Sequence, residues 1–246
     1  MDVFRRREIK FLLSALQRAV VEEALRQRMV PDEHGVSTVC NLYYDTEDFR
    51  LIRRSLEHSV YKEKLRLRCY GKAQPGADLF LELKKKYKGV VYKRRVKVTE
   101  PEAMAFMEGR GELRKRNQIS REIRYVRDFY ATLAPRVYLC YDREAWYDPK
   151  DRGFRMTLDR NIRYRTADLT LSSDFAGTAL LSPDQSLLEV KAEGAVPLWL
   201  VHLLSQQGIR KQSFSKYGTA YRQLLEEYLM NKRGNDHASN HVFKYL

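Results

Sequence analysis

The sequence predicts a single α+β domain built around an antiparallel β-barrel, with a charged interior and helices packed outside. Three observations lead to this prediction: segments in which charged and apolar residues alternate, segments of helical spacing between them, and a strongly basic composition. With 246 residues, 43% of them hydrophobic, the chain is long enough to form one large core. We expect one domain over residues 1–232 and a polar, flexible tail over 233–246.

Strand and helix patterns follow one another closely along the chain. A strand from Phe4 to Leu13 leads into a helix that Ser14 caps, and Pro31 with Gly35 is expected to end this unit. Glycine-containing turns within 62–98 predict consecutive antiparallel hairpins. The further predicted strands are 36–44, 62–70, 78–87, 90–98, 136–147, 155–165 and 187–192. The predicted helices are 14–29, a short helix within 45–56, 102–107, 120–132, 198–207 and 215–229.

The formal net charge of +14 predicts an anionic partner. Charge alone does not decide whether this partner is nucleic acid, a membrane surface or a small polyanion.

The three cysteines, Cys40, Cys69 and Cys140, form no CxxC pair, which argues against a zinc site or disulfide framework and for a reducing compartment. The start of the sequence has no signal-peptide pattern, and no apolar run is long enough to span a membrane. We therefore expect a cytoplasmic protein. A P-loop is excluded because the GxxxxGK[ST] spacing is absent.

Charged side chains share one face of strand after strand, because successive residues of a strand point to opposite faces. The ordinary interpretation is a sheet face that meets water. Here, however, the face is nearly all Arg and Lys, which is unfavourable unless an anion lies among them. Single carboxylates fit the same chemistry if they hold a divalent cation that bridges to phosphate. The same-face sets are Lys64, Arg66 and Arg68; Glu82, Lys84 and Lys86; Arg95 and Lys97; Glu189 and Lys191; Glu8 and Lys10; Arg155, Thr157 and Asp159.

The sequence resembles the VTC polyphosphate polymerase domain, a branch of the triphosphate tunnel metalloenzymes that is related to the CYTH proteins. The resemblance extends from about Phe4 to Tyr228, and its specificity lies in the order of the pieces rather than in any one of them. The pieces are Glu8-Ile9-Lys10, Leu42-Tyr43-Tyr44-Asp45-Thr46, Lys64-Leu65-Arg66-Leu67-Arg68, Phe80-Leu81-Glu82-Leu83-Lys84, Tyr141-Asp142-Arg143, Leu188-Glu189-Val190-Lys191 and Ser213-Phe214-Ser215-Lys216-Tyr217.

The resemblance implies an antiparallel tunnel of about eight strands that binds triphosphate inside. Family members make polyphosphate from ATP, hydrolyse tripolyphosphate or thiamine triphosphate, or cyclise ATP. The CYTH signature ExExK is degenerate here, since Arg6 replaces its first glutamate, and this favours the VTC-like branch. We expect metal-dependent synthesis of polyphosphate from ATP with Mn²⁺ or Mg²⁺, with a tripolyphosphatase or nucleoside triphosphatase as the alternative.

The expected site combines residues implied by the resemblance with residues from the strand pattern. On the residues alone, Lys216 at the start of a helix is either a solvated lysine or a phosphate ligand. The expected catalytic residues are Arg66, Arg68, Lys84, Glu189 and Lys216. The expected phosphate or polyphosphate ligands are Lys10, Lys64, Arg66, Arg68, Lys84, Lys86, Arg95, Lys97, Arg124, Arg143, Arg155, Lys191 and Lys216. The expected metal ligands are Glu8, Glu82 and Glu189.

Two other classes of function remain open at this stage. A nucleic-acid-binding protein would place its basic residues on an exposed face, although we expect no specific nucleic acid. A non-catalytic polyphosphate sensor would keep the cations and show weak metal dependence. The expected small-molecule partners are ATP, tripolyphosphate and polyphosphate, and a membrane-protein partner is left open.

Overall fold

The structure, a computed structural model, describes residues 7–57, 59–88 and 90–234. These residues form nine strands and six helices, which confirms the predicted α+β class. Of the flexible tail expected over 233–246, residues 235–246 lie outside the described residues. The strands are β1 (Arg7–Leu13), β2 (Val30–Asp45), β3 (Tyr61–Tyr70), β4 (Leu79–Tyr87), β5 (Val90–Val98), β6 (Ala134–Tyr147), β7 (Arg155–Arg165), β8 (Thr178–Ala179) and β9 (Ser186–Ala192). The helices are α1 (Ala15–Arg28), α2 (Arg50–Leu56), α3 (Glu100–Met107), α4 (Gln118–Tyr130), α5 (Leu198–Gln206) and α6 (Lys216–Gly234).

The strands are joined in one sheet with the order β1-β9-β7-β6-β2-β3-β4-β5, and β8 pairs with β7. Pairing is antiparallel between β1 and β9, β7 and β9, β3 and β4, and β4 and β5. The order of the described strands begins at β1 and ends at β5 without joining them, so the expected closed barrel is not confirmed. None of the described helices combines the length and hydropathy that a bilayer span requires.

The strand β2 begins earlier than predicted, since Pro31 and Gly35 lie within it rather than ending the unit. Proline is tolerated near the first residues of a strand, and Gly35 takes a φ of 55°, which a glycine adopts without strain. The helix α6 continues to Gly234, beyond the predicted end at residue 229. Ser14 caps α1 as expected, through a capping box with Gln17.

The residues divide into two compact units, and whether the chain acts as one domain stays a prediction. The first unit comprises the described parts of 1–39, 140–163 and 179–215. In it, the apolar face of β1, β7 and β9 packs with α1 and α5 around a core that includes Phe11, Leu25, Met156, Val190 and Leu200. The opposite face of these three strands is therefore left to their charged residues.

The second unit comprises 40–139, 164–178 and the described part of 216–246. Leu65, Leu81 and Leu83 on β3 and β4 are fully buried on one face of the hairpins. The helix α4 lies over this face, since Glu122 is 3.4 Å from the Nζ of Lys85 and 3.8 Å from the Nε of Arg94. The other face carries most of the charged residues of β3, β4 and β5.

A loop between β7 and β8 is held by one arginine of the second unit. The guanidinium of Arg165 donates to four backbone carbonyls, those of Asp168, Thr170, Asp174 and Ala176, at 2.9–3.1 Å. It also lies 3.6 Å from the centroid of the Tyr138 ring. One side chain at the end of β7 therefore binds four carbonyls of the loop.

Gly177 ends this loop with a φ of 152°, and a Cβ there would lie 2.5 Å from the carbonyl oxygen of Tyr164. We predict that Gly177→Ala lowers the free energy of unfolding by about 2 kcal/mol, because backbone must move to admit the methyl group. Gly194→Ala is the control, since a Cβ at Gly194 meets nothing within 4 Å. Urea unfolding of both variants tests this, and equal losses would contradict it.

Candidate functional site

The register of β3, β4 and β5 arranges their charged side chains in rows, because directly opposed residues share a face. Arg66, Glu82 and Arg95 form one row. The next row has a lysine from each strand, which are Lys64, Lys84 and Lys93. The predicted common face is thus confirmed, and Glu82 is the single carboxylate that these three strands place on it. Its cations are Lys62, Lys64, Arg66, Arg68, Lys84, Lys86, Lys93, Arg95 and Lys97.

Glu82 is the centre of this face and has only 2% of its side chain exposed. Arg66 donates from Nε and Nη2 to Oε2 of Glu82 at 2.9 and 2.7 Å. Lys93 Nζ lies 2.8 Å from Oε1. Arg68 Nε lies 3.8 Å from Oε2 and donates to Oδ1 of Asn41 at 2.9 Å. One buried carboxylate therefore gathers three cations from β3 and β5.

These charges determine the ionisation of the cluster. Burial alone would raise the pKa of Glu82, but the charges of Arg66, Arg68 and Lys93 outweigh it and lower the pKa to about 2. Burial lowers the pKa of Lys93, and Glu82 opposes that shift. Glu82 is consequently a carboxylate at any ordinary pH and serves as the internal counter-ion of the cluster.

Aromatic residues connect this cluster to the start of α6. Arg66 Nη1 donates to the hydroxyl of Tyr43 at 3.1 Å, and Tyr43 stacks on Tyr217 with ring centroids 4.4 Å apart. Tyr217 donates to Oδ2 of Asp45 at 2.8 Å. The neighbouring Lys216, the first residue of α6, is buried with 9% exposure. Lys216 is therefore held in the second unit and is not the solvated lysine that a helix start would suggest.

The charged face of the first unit is also built by strand register. Lys10, Glu189 and Thr157 are directly opposed across β1, β9 and β7. Glu8, Lys191 and Arg155 form the adjacent row. Each row therefore combines one carboxylate with at least one cation, as expected for a face of cations interrupted by single carboxylates.

Arg143 on β6 ties this face together. Its Nε and Nη2 donate to Oδ1 and Oδ2 of Asp159 at 2.6 and 2.7 Å, a bidentate pair, and Nη2 also donates to Oε2 of Glu189 at 3.2 Å. Lys191 donates to the same Oε2 at 3.4 Å, and burial lowers the pKa of Lys191. Asp159 is fully buried and Glu189 is 8% exposed, so these two carboxylates are withdrawn from water, whereas Glu8 and Arg155 on the same face are exposed.

Glu8 and Glu189 converge on one lysine ammonium. Their Oε1 atoms lie 3.2 and 3.5 Å from the same ammonium, Nζ of Lys10, which also donates to the carbonyl of Phe214. Two carboxylates that converge on one cation offer the oxygen ligands that Mg²⁺ or Mn²⁺ prefers. Both oxygens of Glu82 contact cationic side chains, as do both oxygens of Glu189, and the roles of Glu8, Glu82 and Glu189 as metal ligands stay predictions.

A further group of ligand atoms lies in β2, where those of Asp32, Glu33 and His34 lie within 4.8 Å of one another. Glu33 and His34 are exposed, and exposed acidic groups are common without a metal. Asp32 also pairs with Arg155, whose Nη2 lies 3.3 Å from Oδ2.

Arg124 is the predicted ligand that this geometry does not bring to a charged face. It pairs with Glu112, and its helix α4 covers the apolar face of β4 and β5, opposite Arg66. Four other predicted ligands of the β3–β5 face are exposed, which are Lys84, Lys86, Arg95 and Lys97. Their roles in phosphate binding stay predictions.

Four residues that belong to the two clusters were not predicted as site residues from the sequence. Lys93 shares the alternation of Arg95 on β5 and could have been found from it. Asp159 was seen in the strand pattern without a role. Tyr43 and Asn41 become visible only when the fold brings them to Arg66 and Arg68.

Comparison with known proteins identifies the family and one shared fold. The VTC domain family matches residues 5–225. No curated protein sequence matches the chain. A candidate adenylate cyclase from Bacillus halodurans is 16% identical, with a TM-score of 0.51 over 85% of this chain and 92% of its own. A candidate adenylyl cyclase from Hippeastrum with a dominant triphosphatase activity is 17% identical, with a TM-score of 0.49 over 85% of this chain and 92% of its own. At such identity the likeness to the first structure shows the fold alone.

The low pKa of Glu82 predicts a loss of stability in acid. Its folded value of about 2 lies below its ordinary 4.5, so the stabilisation is present above pH 4.5 and is lost as the pH falls toward 2. We predict that Glu82→Gln lowers the free energy of unfolding at pH 6 by about 3 kcal/mol, because Arg66 and Arg68 lose their buried counter-ion.

Urea unfolding at pH 6 and pH 3 is the measurement. Glu82→Gln should lose less stability between the two pH values than the unmodified protein does. Glu33→Gln, at a side chain that is 85% exposed, should keep the full loss. Equal pH dependence in all three proteins would show that Glu82 does not hold the cluster.

Proposed function

The chain belongs to the VTC domain family, and from this premise we propose that it catalyses metal-dependent phosphoryl transfer on triphosphate and polyphosphate, making polyphosphate from ATP. The observation that carries the proposal is the row of Lys64, Lys84 and Lys93 beside the row of Arg66, Glu82 and Arg95. The three strands place nine cations and one carboxylate on this face, which gives it a strongly positive potential. A linear polyanion that lies along the strands would balance them.

The chemistry of these cations suits phosphate oxygens. Arg66 and Arg68 present planar guanidinium groups that can bind two oxygens at once, and the lysines act as point charges. Their side chains are already ordered by Glu82, Tyr43 and Asn41, which lowers the entropy cost of binding. These groups would hold and orient the phosphates of the substrate.

The cluster of the first unit would bind phosphate through Lys10, Arg143 and Lys191, with the metal held by Glu8 and Glu189. When bound, a divalent cation there would neutralise charge that develops on the transferred phosphoryl group. The nucleophile would be the terminal phosphate of the growing chain, which is already deprotonated. The protein then needs no general base, and its cations stabilise the leaving group by charge.

We predict that the purified protein, incubated with ATP and Mn²⁺, produces ADP and a growing internal-phosphate signal in phosphorus NMR spectra recorded after the metal has been chelated. Glu189→Gln should reduce the rate at least about a hundredfold, because it removes a carboxylate proposed to bind the metal. Tripolyphosphate binding should persist in this variant, since the cations of both faces remain. Glu226→Gln, on the exposed side of α6, is the matched control and should keep full activity.

Other products would favour other functions. Orthophosphate alone would identify a triphosphatase, and binding without turnover would identify a polyphosphate sensor. Duplex DNA that displaces tripolyphosphate at equal charge would favour a nucleic-acid-binding protein. Full activity of Glu189→Gln would contradict the metal role of this residue.

A further inference from the structure

Thr157 carries a buried hydroxyl group that makes no hydrogen bond within the described residues. The residue is 7% exposed, and its Oγ1 has no hydrogen-bond partner within the described part of the chain. Removing a hydroxyl from water without a replacement bond costs free energy, so such groups are rare in folded proteins. A valine would fill the same space without this cost. The hydroxyl of Thr157 is therefore able to bond a group that binds from outside.

The position of this hydroxyl is set by strand register. Thr157 lies on β7 between Arg155 and Asp159 and directly opposite Glu189 on β9. Glu189 is in turn opposite Lys10 on β1. The hydroxyl thus belongs to the charged face of the first unit, and not to the apolar face that packs against α1 and α5.

The surroundings of Thr157 indicate what kind of group its hydroxyl would bind. Glu189, the nearest carboxylate by register, is already contacted by Lys10, Arg143 and Lys191, and it accepts no hydrogen bond from Thr157. The hydroxyl therefore remains available as a donor among cations. An oxygen atom of a phosphate is an acceptor that these cations would attract to the same face.

We propose that Thr157 is a substrate-binding residue whose hydroxyl donates a hydrogen bond to a phosphate oxygen of bound triphosphate or polyphosphate. This inference rests on the proposed function. Lys and Arg side chains are long and adapt to an anion, whereas a β-branched side chain on a strand is stiff at χ1. Thr157 would therefore fix the position of one phosphate, while the surrounding cations supply the attraction.

A test follows from the opposite effects that Thr157→Val should have on stability and binding. In the ligand-free protein the variant removes a buried hydroxyl without a partner, so the melting temperature should stay equal or rise. With tripolyphosphate in EDTA, calorimetry should show binding about tenfold weaker, as expected for the loss of one hydrogen bond to a charged group. Thr157→Ser keeps the hydroxyl and should bind within about threefold of the unmodified protein.

Other results of these measurements would overturn either the role of Thr157 alone or the proposed function as well. Unchanged tripolyphosphate binding by Thr157→Val, or a lower melting temperature without ligand, would overturn the inference and leave the proposed function standing. Weaker Mn²⁺ binding in electron paramagnetic resonance titrations, with tripolyphosphate binding in EDTA unchanged, would also overturn it, because the hydroxyl would then be a metal ligand. An unmodified protein that does not bind tripolyphosphate would overturn both proposals.

Discussion

The register of β3, β4 and β5 is the constraint on which the rest of the β3–β5 cluster depends. A slip of one residue between two of these strands would turn the charged face of the slipped strand toward the apolar face under α4. Burying Arg66 or Lys84 there without a carboxylate would be very costly. Leu65, Leu81 and Leu83 enforce the same register from the apolar side. The amino acids that make the hairpins stable are thus also the ones that align the charges.

Buried carboxylates make it possible for so many cations to stay together without a ligand. Glu82 holds Arg66 and Lys93, and Glu189 with Asp159 holds Arg143. The same carboxylates compete with an incoming anion for these cations, which should moderate its affinity. A divalent cation at Glu8 and Glu189 would relieve that competition by occupying the carboxylates. This is a physical reason to expect that phosphate binding and metal binding support each other.

The strand alternation was sufficient to predict the hairpins and the shared faces of the charged sets on β3, β4, β7 and β9, because a two-residue period is a local property. It could not predict which side chains would meet across strands. Tyr43 contacts Arg66, and Asn41 contacts Arg68, only because β2 is a neighbour of β3. The missing partner of Thr157 is likewise invisible in sequence, since burial and the lack of a bond are tertiary facts. Gly35 misled the prediction for β2 because glycine ends many strands and also permits an unusual φ within one.

Chemical labelling of lysines tests most directly whether the charged face of β3–β5 binds a polyanion. Acetylation rates of single lysines, read by mass spectrometry, would be compared with and without tripolyphosphate at constant ionic strength. The account predicts that tripolyphosphate slows the labelling of Lys64, Lys84 and Lys93 and leaves the exposed Lys115 and Lys150 unchanged. Unchanged labelling of Lys64, Lys84 and Lys93 on addition of saturating tripolyphosphate would contradict it, because the rows of cations would then have no part in binding.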